Sequence, residues 1–237
     1  MLAAVVNSEA LWYLTRGFGL ITLLLLTGSI VLGISQIVRF SRPGLQRFVV
    51  AGLHRNLSLL AIVFLAVHII TAVADPYAPI RLVDAFVPFT GRYRPIWLGL
   101  GALATDLILV LAVSSLLRQR IGHKTWRAIH WSAYACWPVA VVHGLGTGSD
   151  TKTGWVQLLY VLCSAVVLAA LGWRLLTRWS LASYRNRIMA GAGALALTAI
   201  VAAWAAQGPL RPGWSRRAGT PVSLVGHSAP KSTTSNK

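Results

Sequence analysis

Long apolar runs that carry no charged residue on any side recur along the chain, as in Ile21–Leu32 and Leu158–Ala170. A helix or strand at the surface of a soluble domain would show a polar face at its own period, and these windows show none. Several runs reach the roughly 17 to 25 residues needed to cross a bilayer core. Within lipid every backbone N–H and C=O must find its partner inside the segment, so each such run is read as a helix. Composition agrees: 56% of the 237 residues are hydrophobic and 11% are charged, against about a quarter charged in a soluble domain.

Hydropathy places helix one at Leu11–Val38, helix two at Phe48–Ala74 and helix three at Ile96–Leu117. Helix four is placed at Thr125–Gly146, helix five at Trp155–Trp173 and helix six at Ile188–Ala206. The expected fold is an all-α membrane protein, a six-transmembrane-helix bundle occupying residues 1–206. From Gln207 the chain turns to Pro, Gly, Ser, Thr and Lys, and residues 207–237 are expected to form a disordered extracytoplasmic tail. The opening MLAAVVNSEA has Glu9 and no basic residue, so helix one is expected to be retained rather than cleaved as a signal peptide. Cys136 and Cys163 both fall within helices, where packing is their expected role.

Orientation follows from charge. The loops after helices one, three and five hold eleven Arg and Lys residues, from Arg39 to Arg187. The opposite loops hold four: Arg81, Arg92, Arg94 and Lys152. Positive residues stay in the cytoplasm, which puts both termini outside. The net charge of +17 is therefore spread by topology rather than gathered on one face, and no nucleic-acid partner is expected. In the long Asp75–Pro95 loop, IRLVDAFVPF reads as a short amphipathic segment on the outer surface, placed to cover a site.

Ionisable groups at membrane depth are costly, and each is a functional hypothesis. Helix two carries His54 and His68, fourteen residues apart, and helix four carries His130 and His143, thirteen apart. At 1.5 Å per residue the two levels lie about 20 Å apart, too far for four imidazoles to share one ion. Both helices run in the same direction, so His54 is expected level with His130, and His68 with His143. Facing imidazoles can fill both axial positions of a haem iron, giving two stacked haems between helices two and four. Fourteen residues are nearly four turns and keep His54 and His68 on one face. Thirteen do not, so helix four needs a kink or a tightened turn, for which Pro138 is the candidate.

At this point the chain resembles the ferric-reductase-like transmembrane family, which includes ferric reductases, the membrane core of NADPH oxidases and the haem subunit of methionine sulfoxide reductase systems. The resemblance rests on LHRNLSLLAIVFLAVH at Leu53–His68, YRPIWLGLGALATDLILVLAVSSLLRQRIGHKTWRAIHW at Tyr93–Trp131, and VVHG at Val141–Gly144. It implies two haem b groups, an inner one on His54 and His130 and an outer one on His68 and His143. It also implies electron transfer from the cytoplasmic to the outer face of a bacterial plasma membrane, by an oxidoreductase or an electron-transfer subunit of one. No glycine fingerprint of a dinucleotide site follows helix six, so the expected donor is a separate flavoprotein or a quinol, while the acceptor stays open among a ferric chelate, oxygen, a quinone and an extracytoplasmic redox partner.

Anionic haem propionates call for arginines. Arg55 and Arg127 are candidates at the inner level and Arg16 at the outer, with Arg92 and Arg94 nearby. Asp106, the acid in the middle of helix three, is open to three roles: a protonated carboxyl, a partner for a histidine's second nitrogen, or a proton relay. His123 and His227 read as solvated. The competing reading of the four histidines is a metal-ion transporter or intramembrane metal-binding protein, which would need its ligands clustered.

Overall fold

A computed structural model describes residues 8–38, 47–148, 150–177 and 184–225. Arg39, Arg42, Arg178 and His227 lie outside these described residues. Among the described residues the regular structure is all helical: α1 (Ser8–Val38), α2 (Arg47–Ala74), α3 (Pro95–Leu116), α4 (Arg118–Ile121), α5 (His123–His130), α6 (Ala133–Thr147), α7 (Gly154–Thr177), α8 (Tyr184–Gln207), α9 (Trp214–Arg217) and α10 (Val222–Val225). Five of these, α1, α2, α3, α7 and α8, are long and apolar enough to cross a membrane. They coincide with five of the six spans expected from hydropathy.

The remaining expected span, helix four, is divided. The chain breaks its α-helical pattern between α5 and α6 at Trp131 and Ser132. Bonds there run to the third residue back, from Ser132 N to Ile129 O at 2.9 Å, Tyr134 N to Trp131 O at 3.1 Å and Ala135 N to Ser132 O at 3.0 Å. This is a tightened turn, and it lies just ahead of Pro138, which is inside α6. A proline ring collides with the carbonyl four residues earlier, here Tyr134, so the strain falls on this stretch. A 3-10 turn advances roughly 20° more per residue than an α-helix. Three or four such residues recover about half of the roughly 140° that a thirteen-residue spacing lacks, and His130 and His143 both come to face α2, opposite His54 and His68.

Helix α1 lies along α2 for most of its length and also touches α6 and α7, while α3 packs on α6 and α5. Leu23, Val141, Leu145, Val156, Tyr160 and Ala205 form the buried cluster between α1, α6, α7 and α8. Cys136 and Cys163 are buried free thiols. Outward-facing Leu59, Val63 and Ile70 on α2, and Leu158, Val161 and Leu162 on α7, are exposed. Such an apolar surface suits lipid and not water. The buried hydroxyls of Thr22 and Thr27 are satisfied within their own helix, Thr22 donating to Phe18 O and Thr27 to Leu23 O, both at 2.8 Å.

The end of the bundle holding His68 and His143 is closed by two segments. The Asp75–Pro95 loop folds over it around Asp84, which is almost fully buried. Asp84 accepts from the Arg81 backbone N–H at 2.9 Å, from the Arg81 guanidinium at 2.8 Å and from the Thr90 hydroxyl at 3.3 Å. The second segment is the chain after Gln207, where composition leads one to expect disorder. Through Val225 it is instead folded onto the bundle. Trp214 donates to Gly146 O at 2.9 Å and its ring lies 5.3 Å from that of Trp97, which is 4.9 Å from that of Trp204. Arg94, buried and in the left-handed region at φ 43°, donates to Thr220 Oγ1 at 2.9 Å and to Thr147 O at 2.8 Å.

Candidate functional site

Helices α1 and α2 run antiparallel, so His54 and His68 on α2 meet opposite ends of α1. Each finds the same local arrangement. The Nδ1 of His68 lies 2.7 Å from Thr15 O, and the Nδ1 of His54 lies 2.9 Å from Ser29 O. On the other side of the bundle the Nδ1 of His143 lies 2.8 Å from Trp97 O on α3. A carbonyl only accepts, so in all three rings Nδ1 carries the proton and Nε2 keeps its lone pair.

The residue four positions beyond each of these carbonyls is a glycine: Gly19 after Thr15, Gly33 after Ser29 and Gly101 after Trp97. A helical carbonyl already accepts from the N–H four residues on, so an imidazole reaching it must pass over that fourth residue. A Cβ would crowd the ring at Gly19 and Gly101 and make ordinary contact with it at Gly33. At Gly19 it would come 3.1 Å from the His68 ring, at Gly33 3.4 Å from the His54 ring, and at Gly101 2.5 Å from Nδ1 of His143. These glycines and carbonyls were not among the residues that sequence reasoning singled out. The available signal was the spacing of Gly19 and Gly33, fourteen residues apart like His54 and His68.

The four histidines meet in two pairs. His54 and His130 have ring centroids 6.2 Å apart, and His68 and His143 6.4 Å. The planes within the pairs are inclined at 76° and 84°. Two imidazole nitrogens each about 2 Å from one metal set their ring centroids roughly 6 Å apart, so both pairs have the separation of bis-imidazole ligation. A cavity of about 210 Å³ beside His68 and His143 is walled by apolar and small residues, Leu20, Leu23, Leu65, Gly101 and Ala140 among them. The paired imidazoles, and the apolar surroundings of His68 and His143, fit haem iron. Among the described residues no group of three or more His, Cys, Asp or Glu side chains is placed to hold a metal ion.

Of the arginines, Arg16 stands nearest the chemistry. It lines the cavity of His68 and His143, lies 3.7 Å from Asp150 and caps the Trp12 ring at 4.6 Å. Arg55 and Arg127, one residue after His54 and three before His130, are exposed. The guanidinium of Arg94 is turned to Thr220 and Thr147, and Arg92 is exposed. Asp106 is half-buried on α3 and is not the partner of any histidine Nδ1, a place taken by backbone carbonyls at three of the four rings. His123 is exposed, its ring 5.3 Å from that of Trp126.

No curated protein and no solved structure matches the chain. Residues 17–146 match the family described as ferric reductase like transmembrane component. That stretch runs from Gly17, within α1, to Gly146, next to the end of α6, and contains all four paired histidines and all three ring-facing glycines. The chain belongs to the ferric-reductase-like transmembrane family.

Proposed function

We propose that the chain is a two-haem b-type cytochrome that carries electrons across a bacterial plasma membrane, from a cytoplasmic flavoprotein or a quinol to an extracytoplasmic acceptor. His54 and His130 hold the haem nearer the cytoplasm, and His68 and His143 the haem nearer the outside. The observation that carries this reading is the pairing itself, two His–His couples 6.2 and 6.4 Å between centroids at opposite ends of one helix pair. His54, His130, His68 and His143 are the residues that would hold the two haems, and a haem so held would supply one-electron redox chemistry.

The chain's own groups do the rest. The carbonyls of Thr15, Ser29 and Trp97 fix the tautomer and orientation of three ligands and raise their basicity. The loop around Asp84 and the Trp97–Trp204–Trp214 cluster shield the His68 end from water. Arg16 supplies a cation beside the outer site, and Arg55 and Arg127 supply cations for propionates at the inner one. Helices α5 and α6 together form a sixth crossing, since His123–Thr147 spans about 37 Å at 1.5 Å per residue against a core of about 30 Å. Both termini then lie outside, in line with the arginine-rich loops on the other face.

The metal-transporter reading asks for three or four ligands around one ion. Pairs of histidines about 20 Å apart do not supply them. A reduced-minus-oxidised optical spectrum of purified, haem-supplied protein tests the proposal. Low-spin b-type bands are expected. A featureless difference spectrum from folded protein overturns it.

A further inference from the structure

Three of the four ring nitrogens facing away from their partners have an acceptor, and the fourth does not. The Nδ1 of His130 is buried without a hydrogen-bond partner among the described residues. The reason can be read along α3. Fourteen residues after Trp97 and Gly101, the carbonyl and glycine that receive His143, stand Leu111 and Ser115. Position for position these are the carbonyl and the fourth residue that would receive His130. Ser115 is not a glycine, and its own hydroxyl donates to Leu111 O at 2.7 Å, while Ser114 donates to the same oxygen at 3.1 Å. The acceptor that the pattern provides elsewhere is already taken. Trp126 occupies the space in between, its indole N–H reaching Ser115 Oγ at 3.3 Å and its ring stacked on His130 at 4.9 Å and 27°.

His130 is thus held by an aromatic face where the other three imidazoles are held by a carbonyl. A stack limits the tilt of the ring but accepts no proton from Nδ1, so it adds nothing to the basicity of Nε2. Partners of this outer kind typically change metal affinity by about 10- to 100-fold. We infer that the two sites are unequal by construction, Trp126 being the positioning residue of His130 and the His54/His130 site the one that gives up its haem first. This rests on the two-haem reading above.

The test is haem transfer from the purified holoprotein to excess apomyoglobin, followed in the Soret band. Two phases of equal amplitude are expected, with rates about 10- to 100-fold apart. His68→Ala should retain only the fast phase and His54→Ala only the slow one. Trp126→Ala should accelerate the fast phase alone. Trp126→Phe, which keeps a flat ring for the stack and loses only the bond to Ser115, should restore the wild-type rate. Two haems leaving in a single phase, or a fast phase that survives in His54→Ala, overturns the inference and leaves the cytochrome reading intact. A protein with no haem to transfer overturns both.

Discussion

The Nδ1 of His143 reaches the carbonyl oxygen of Trp97 at 2.8 Å by passing over Gly101, one turn further along α3. Trp97 in turn packs against the tilted rings of Trp204 and Trp214, so the orientation of a candidate ligand is tied to the segment after α8.

The glycines beneath the rings should differ in their tolerance of a methyl group. Gly101→Ala places a Cβ 2.5 Å from His143 Nδ1 and should cost about 1 to 3 kcal/mol, as overpacked sites do, with loss of haem from the His68/His143 site. Gly33→Ala meets His54 at 3.4 Å, an ordinary contact, and should keep both haems. Optical haem content and thermal unfolding of the two variants check this. Equal behaviour would mean that the ring positions adapt freely.

The clasp over the His68 end should be cooperative. Arg94→Ala leaves Thr147 O and Thr220 Oγ1 without their buried donor, at about 1 to 3 kcal/mol for each acceptor that water does not reach. Hydrogen exchange of residues 208–225 should accelerate in this variant. Unchanged exchange would show that the Trp214 contacts alone hold the segment.

The loop that covers the same end should respond to acid. Arg81, hydrogen-bonded to Asp84, holds the Asp84 carboxyl below the usual carboxylate range. A lowered folded-state pKa contributes stability that is present above the unfolded value of about 3.9 and is lost as pH falls through the folded value. Thermal unfolding scanned from about pH 6 to about pH 2 should show a decline below pH 4 that Asp84→Asn largely lacks. A variant with the wild-type acid profile would assign the decline to other carboxylates.

Five spans were legible because a long run that is almost wholly apolar has one outcome in lipid, and α1, α2, α3, α7 and α8 depend on little else, α3 even with Asp106 inside it. The four histidines were legible for the same reason, each being expensive at that depth. The break between α5 and α6 left a weaker trace, the thirteen-residue spacing of His130 and His143 with Pro138 between them. Its place at Trp131 and Ser132 depends on which turn absorbs the strain. Gly19, Gly33 and Gly101 look like any other glycines of a membrane helix until the ring opposite each is known. A backbone carbonyl has no letter at all. Residues 208–225 have a loop's composition, and what folds them is a surface elsewhere, Arg94, Trp97 and Gly146, that no local count reveals.

Haem stoichiometry tests the central claim most directly. Protein purified from haem-replete cells should carry two haem b per chain, both low-spin, because imidazole stands ready on each side of both sites. His54→Ala and His68→Ala should each retain one, in spectrally different sites. Wild-type protein that is folded, monodisperse and free of haem would contradict the account.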